Sequence, residues 1–325
     1  MGVWSEDYPS PNGQPDLERF LGRPARPSQV QSTTETSPME SFHQPENDDA
    51  EGLAVPPPIG LLVSVRDMRE WSLVRSLPID VVDFKDPGAG PLAPAPEQLW
   101  RRAAASPSCF GMLSAALGEL PAAIELAPRV PGQFSFAKAG PSGVSDLATL
   151  AGHWRALRKN LDRSVDLVAV AYADHELADC PRPEAIFDLA AQEGIRTWLV
   201  DTFSKLSGVS VYSILGTERL IEIDRMAQRN QARWVLAGSI DRVTAQRVIE
   251  AGIRPRYFGI RGDVCSGNRE GQIDLRRVES WIESLWQTNG RTVKTPETNP
   301  SNDLAQFPPR RPAHKDEGRT RQDEY

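Results

Sequence analysis

Three lysines stand where short apolar runs give way to loops. They are Lys85 in Val81-Val-Asp-Phe-Lys85, Lys138 in Phe134-Ser-Phe-Ala-Lys138, and Lys205 just beyond Leu199-Val-Asp201. Asp83 lies two residues before Lys85, so a strand of period two turns both side chains to one face. Charged groups at the end of a core strand are costly unless paired or used. Three lysines and two aspartates, Asp83 and Asp201, in such places point to amine chemistry on a carbonyl substrate.

A protonated lysine is a poor nucleophile, and its reference pKa is about 10.4. Neighbouring cations and burial favour the neutral amine. That amine attacks an aldehyde or ketone, and the iminium formed stabilises an adjacent carbanion. A second lysine or an aspartate then shuttles protons. For any one of these lysines the alternative is an ordinary exposed loop residue. Their recurrence at successive even-numbered strand ends favours the functional reading.

The elements that must position these groups follow one pattern. Eight nearly continuous apolar runs of about four to eight residues begin at Gly60, Val81, Gly111, Phe134, Leu167, Thr197, Arg233 and Tyr257. Such runs suit parallel strands covered on both faces. Amphipathic segments of helical spacing lie between them, at 67–77, 145–161, 183–193, 213–230, 244–251 and 275–286. Asp67 is placed to cap a helix, and Gly194 and Gly252 to end two others. This alternation predicts an α/β fold, a (β/α)₈ TIM barrel. The weakest step is between the third and fourth strands, where Pro121, Pro128 and Pro131 oppose a normal helix. A doubly wound open sheet is the alternative, although no Gly-x-Gly-x-x-Gly follows the first strand.

The barrel is expected over residues 56–289. Residues 1–55 and 290–325 are polar and proline-rich, and disordered tails are expected there. In such a barrel, inward residues of alternate strands share a layer, so Lys85, Lys138 and Lys205 should meet in one cavity. The loops after the last two strands are the fold's usual phosphate cradle. Gly238, Ser239, Arg261 and Gly262 are the candidates for that task, followed by a glycine-rich loop that carries Arg269.

Composition excludes several classes. The net charge of −7 comes with no long basic stripe, so nucleic acid is not an expected partner. No apolar run approaches 18 residues, so no membrane span is expected. The N-terminus lacks a basic segment followed by an apolar one, and three scattered cysteines suit a reducing cytoplasm. No Cys-x-x-Cys or His-Glu-x-x-His occurs, so no metal site is expected. A Gly-x-Ser-x-Gly elbow is also missing, which disfavours an acyl hydrolase. Oligomeric state is left open, a homo-oligomer included.

The ordered motifs resemble those of the (5-formylfuran-3-yl)methyl phosphate synthases, also called 4-(hydroxymethyl)-2-furancarboxaldehyde-phosphate synthases. The family's Asp-Val-Lys-Asn-Pro is similar to Asp83-Phe-Lys85-Asp-Pro87, and its Val-Lys-Val-Gly to Ala137-Lys-Ala-Gly140. Its Gly-Tyr-Ala-Asp is similar to Ala171-Tyr-Ala-Asp174, and its Asp-Thr-x-x-Lys to Asp201-Thr-Phe-Ser-Lys205. Leu236-Ala-Gly-Ser239 and Gly259-Ile-Arg-Gly-Asp-Val-Cys265 complete the set. Two departures are Leu206-Ser207-Gly208, where Asp-Gly is usual after the third lysine, and Gly-Asn-Arg269 in place of Gly-Asp-Arg.

The resemblance implies a cofactor-free lyase of methanofuran biosynthesis that condenses two molecules of glyceraldehyde 3-phosphate. It implies that Lys85 forms the Schiff base and Lys138 accepts the proton. Asp83, Asp201 and Lys205 would support proton transfer and positioning. Another Schiff-base aldolase of a phosphorylated sugar, or a non-catalytic barrel subunit, stands as the alternative.

Overall fold

The computed structural model describes residues 58–106, 110–205 and 209–290. Both tails assigned from composition, Gly290 apart, lie outside the described residues.

Eight strands alternate with eight helices: β1 (Gly60–Val65), α1 (Met68–Val74), β2 (Val81–Phe84), α2 (Glu97–Ala104), β3 (Met112–Glu119), α3 (Ala123–Leu126), β4 (Phe136–Gly140) and α4 (Leu147–Asn160). The second half is β5 (Asp166–Tyr172), α5 (Pro183–Gln192), β6 (Thr197–Asp201), α6 (Val211–Arg229), β7 (Arg233–Leu236), α7 (Arg242–Glu250), β8 (Tyr257–Ile260) and α8 (Leu275–Thr288). Each strand is parallel to its neighbours, and β1 pairs with both β2 and β8. The sheet is a closed barrel, which excludes the open doubly wound alternative.

Period two divides each strand between two cores. On β1, Leu61, Val63 and Val65 pack outward against the helices, while Leu62 joins the barrel interior. On β2, Val82 and Phe84 face the helices and Val81 faces inward. Phe187 of α5 stacks on Trp198 of β6 at 4.9 Å between ring centroids, with planes 4° apart. Trp198 also donates its indole N–H to the Ile195 carbonyl, so its one polar atom is satisfied in the core.

Local signals behave as chemistry requires. The Asp67 carboxylate accepts the Glu70 N–H at 2.9 Å and starts α1. Gly194 and Gly252 adopt φ of 70° and 77°, the left-handed geometry that ends a helix. Between β3 and β4 the prolines leave only the four-residue α3 and a 3₁₀ turn at Ala127–Arg129. Two elements differ from expectation. The helix α2 lacks a capping side chain and follows a proline-rich stretch, so no start signal marks it. It forms because Leu99, Trp100 and Ala103 bury one face. Strand β4 runs two residues past Lys138, to Gly140, which lies against Glu119 and Tyr172.

Replacing Trp198 by alanine removes the stack and opens a cavity between sheet and helix. The expected cost is about 3–5 kcal/mol of unfolding free energy. A loss below about 1 kcal/mol in urea unfolding would show that this contact does not hold α5 to the barrel.

Candidate active site

The register of β1, β2 and β3 places Ser64, Asp83 and Ser114 side by side. All three point into the barrel, and both hydroxyls donate to the Asp83 carboxylate, at 3.1 and 2.9 Å. Lys138 reaches across from β4 and ion-pairs with the same carboxylate at 2.8 Å. Asp83 has no exposed surface, so these three partners replace its water.

A second charged group forms on the opposite side. Asp201 ends β6 and is 2% exposed. Its Oδ1 accepts the Thr202 N–H at 2.7 Å and the Lys205 ammonium at 2.6 Å. Lys205 also donates to the Thr202 hydroxyl at 2.8 Å. The other oxygen, Oδ2, lies 3.8 Å from Lys85 Nζ. The loop bearing Lys205 is pinned by Asp174, whose carboxylate accepts the Phe203 and Ser204 N–H groups at 2.6 and 2.8 Å.

Burial, above all, lowers Lys85 from 10.5 to about 8, with Lys138 and Lys205 adding to the effect and Asp201 and Asp83 opposing it. Burial would raise the Asp201 carboxyl, but Lys205 and Lys85 outweigh it and hold Asp201 at about 2. The site therefore keeps an ionised carboxylate beside an amine that is readily neutral.

These groups open into a cavity of about 450 Å³ at the carboxyl ends of the strands. Lys85, Lys138, Asp201 and Lys205 line it, and Asp83 lies beneath, sealed under Lys138. Gly238, Ser239 and Gly262 also line it. Gly238 has φ of 97°, and a Cβ there would sit 3.0 Å from the Thr202 backbone, so glycine lets the wall close on the Lys205 loop. Leu206-Ser207-Gly208 lies outside the described residues.

Arg261 is at the cavity wall, but its guanidinium is engaged elsewhere. It forms a two-pronged ion pair with buried Glu70 of α1, at 2.7 and 3.0 Å. Its other donors reach the carbonyls of Ser64, Arg269 and Gly271. Glu70, Ser64 and Ser114 are the residues that sequence reasoning missed. The Asp67-x-x-Glu70 spacing is a capping-box signature, and it marks Glu70 as a side chain that turns back over its own helix start. The two serines become legible only once the register is known.

Fold and site together define a (β/α)₈-barrel enzyme whose buried lysines and carboxylates converge at the mouth. Within that class, the chain belongs to the 4-HFC-P synthase family, whose model matches residues 61–282. It is 27% identical over 230 residues to the (5-formylfuran-3-yl)methyl phosphate synthase of Methanosarcina acetivorans, covering 66% of this chain and 94% of the relative. The synthases of the same name from Methanosarcina barkeri and Methanothermobacter thermautotrophicus are 26% and 28% identical. Those matches cover 68% and 63% of this chain, and 97% and 90% of the relatives.

Reductive alkylation by a small aldehyde, followed by peptide mass spectrometry across pH, reads the Lys85 amine directly. Modification of Lys85 is expected to rise with a midpoint near 8. Lys138→Met removes a cation that lowers Lys85, so the midpoint moves up. Asp201→Asn removes the anion that most raises it, so the midpoint moves down. A wild-type midpoint near 10.5 would mean that burial does not activate this amine.

Proposed function

We propose that Lys85 forms a Schiff base with glyceraldehyde 3-phosphate and that the protein condenses two such molecules into (5-formylfuran-3-yl)methyl phosphate. The observation that carries this reading is an amine lowered to about 8 in a cavity shared with two further lysines and a carboxylate. At pH 7 about a tenth of such amines are neutral, against roughly three in ten thousand at the ordinary lysine value.

The Lys85 lone pair attacks the aldehyde carbon of one triose, and water leaves as the iminium forms. The Lys138–Asp83 pair accepts the proton from the adjacent carbon, with Lys138 as the member that reaches the cavity. The electron pair moves into the iminium, giving an enamine. The enamine attacks the aldehyde of the second triose, and Lys205, 2.6 Å from Asp201, supplies a proton to the new alkoxide. Loss of one phosphate and two waters overall, with ring closure and return of Lys85, gives the furan. Every step uses lysine and carboxylate proton transfer with the iminium as electron sink, so the scheme calls on no cofactor. The backbone of Gly238, Ser239 and Gly262 would receive the substrate phosphate. The family relationship supports a place for this reaction in methanofuran synthesis.

Two measurements test the proposal. Borohydride added with glyceraldehyde 3-phosphate should trap a stable adduct on Lys85, and a labelled peptide centred on another lysine would overturn the assignment. Without borohydride, a furan chromophore should accumulate, and Lys85→Arg should reduce its rate by at least about a thousandfold. A Lys85 adduct with no furan product would assign the site to an aldolase of another phosphorylated sugar.

A further inference from the structure

We propose that Arg269 is the guanidinium that grips the phosphate of the substrate, and that Arg261 is the buried strut that places it. This deepens the reading of the cavity as one that takes a phosphorylated aldehyde.

Arg261 has no donor left for a ligand. A guanidinium carries five N–H groups. In Arg261 five hydrogen bonds use them, two to Glu70 and three to carbonyl oxygens. An anion could bind there only by breaking a buried ion pair, which would strand Glu70 with a buried charge.

Two of those bonds hold the loop that carries Arg269. Arg261 Nε donates to the Arg269 carbonyl at 2.8 Å, and Nη2 donates to the Gly271 carbonyl at 3.2 Å. The base of the loop is closed by the Ser266 N–H bond to the Gln272 carbonyl and by an antiparallel bridge between Cys265 and Ile273. The Arg66 guanidinium adds a bond to the Glu270 carbonyl. The Arg269 backbone is thus pinned on both sides.

Its side chain is not. Arg269 lines the cavity together with Lys85, Gly238 and Ser239. Among the described residues, its guanidinium makes no hydrogen bond and no ion pair. The neighbouring cations differ: Lys138 is held by Asp83 at 2.8 Å, Lys205 by Asp201 at 2.6 Å, and Arg277 donates to the Cys265 carbonyl at 3.0 Å. Burial lowers the Arg269 pKa, with Arg261 adding to the effect and the charges of Asp201 and Glu270 opposing it.

The same cavity supplies what a phosphate needs to complete its shell. Among the described residues, the N–H groups of Gly238 and Ser239 donate to no protein acceptor. Both residues have positive φ, 97° and 55°. For Ser239 that backbone is strained, and strain of this kind is held in place near ligand sites. An unpaired, half-buried guanidinium that shares a cavity with open amides matches a tetrahedral dianion, and the planar fork binds two of its oxygens at once.

The test uses the full chain with Arg269→Gln and Arg269→Lys. Inorganic phosphate is titrated calorimetrically, and borohydride trapping is compared for glyceraldehyde 3-phosphate and unphosphorylated glyceraldehyde. Arg269→Gln is expected to weaken phosphate binding at least about tenfold, the worth of a charged hydrogen bond. It should shrink the preference for the phosphorylated aldehyde by a similar factor, and Arg269→Lys should restore part of both. Equal phosphate affinity in wild type and Arg269→Gln, or no phosphate binding by the wild type, would overturn the assignment. Neither measurement requires furan formation. Arg269-dependent phosphate binding without any furan would keep this inference and reject the condensation.

Discussion

Buried charge must be balanced, and the mouth of this barrel is built around that constraint. Three amines, Lys85, Lys138 and Lys205, share two carboxylates, Asp83 and Asp201. Lys138 and Lys205 take the short contacts, at 2.8 and 2.6 Å. Lys85 is left with the long one, at 3.8 Å. It bears the cost of burial with only a distant carboxylate to offset it, and burial lowers it to about 8. The imbalance of three against two is what makes one lysine differ from the others. Removing either carboxylate would strand cations, and adding a third would quench the nucleophile.

The scaffold serves this balance by register. Placing Ser64, Asp83 and Ser114 in one row across three strands gives Asp83 two neutral donors before any lysine arrives. The Glu70–Arg261 pair does related work at the seam where β8 meets β1. It ties α1 to the end of β8 and extends into the loop that follows. A buried pair of this kind adds little net stability. Its use is positional, because a two-pronged contact fixes both distance and angle.

The eight-fold alternation was readable because parallel barrel strands are buried on both faces and read as apolar runs. Asp83, Lys85, Lys138, Asp201 and Lys205 were readable because charge at the end of such a run is costly and therefore conspicuous. The helix α2 was hidden, since Pro96 carries no side-chain cap and the helix depends on burying Trp100 and Leu99. Arg261 was readable as a cation at a strand end, but its engagement was not. Whether an arginine is free or spent depends on what the chain brings beside it, and Glu70 lies 191 residues away.

The amino-acid order by itself determined the layered pattern and the chemical types available at the mouth, because both follow from local periodicity and from the cost of charge in an apolar run. The assignment of partners was decided only by closing the barrel. Ionic and hydrogen-bonded contacts act over a few ångströms, so which lysine faces which aspartate depends on strand register and on joining β1 to β8. Folding, not spacing along the chain, made Lys85 the loosely held amine.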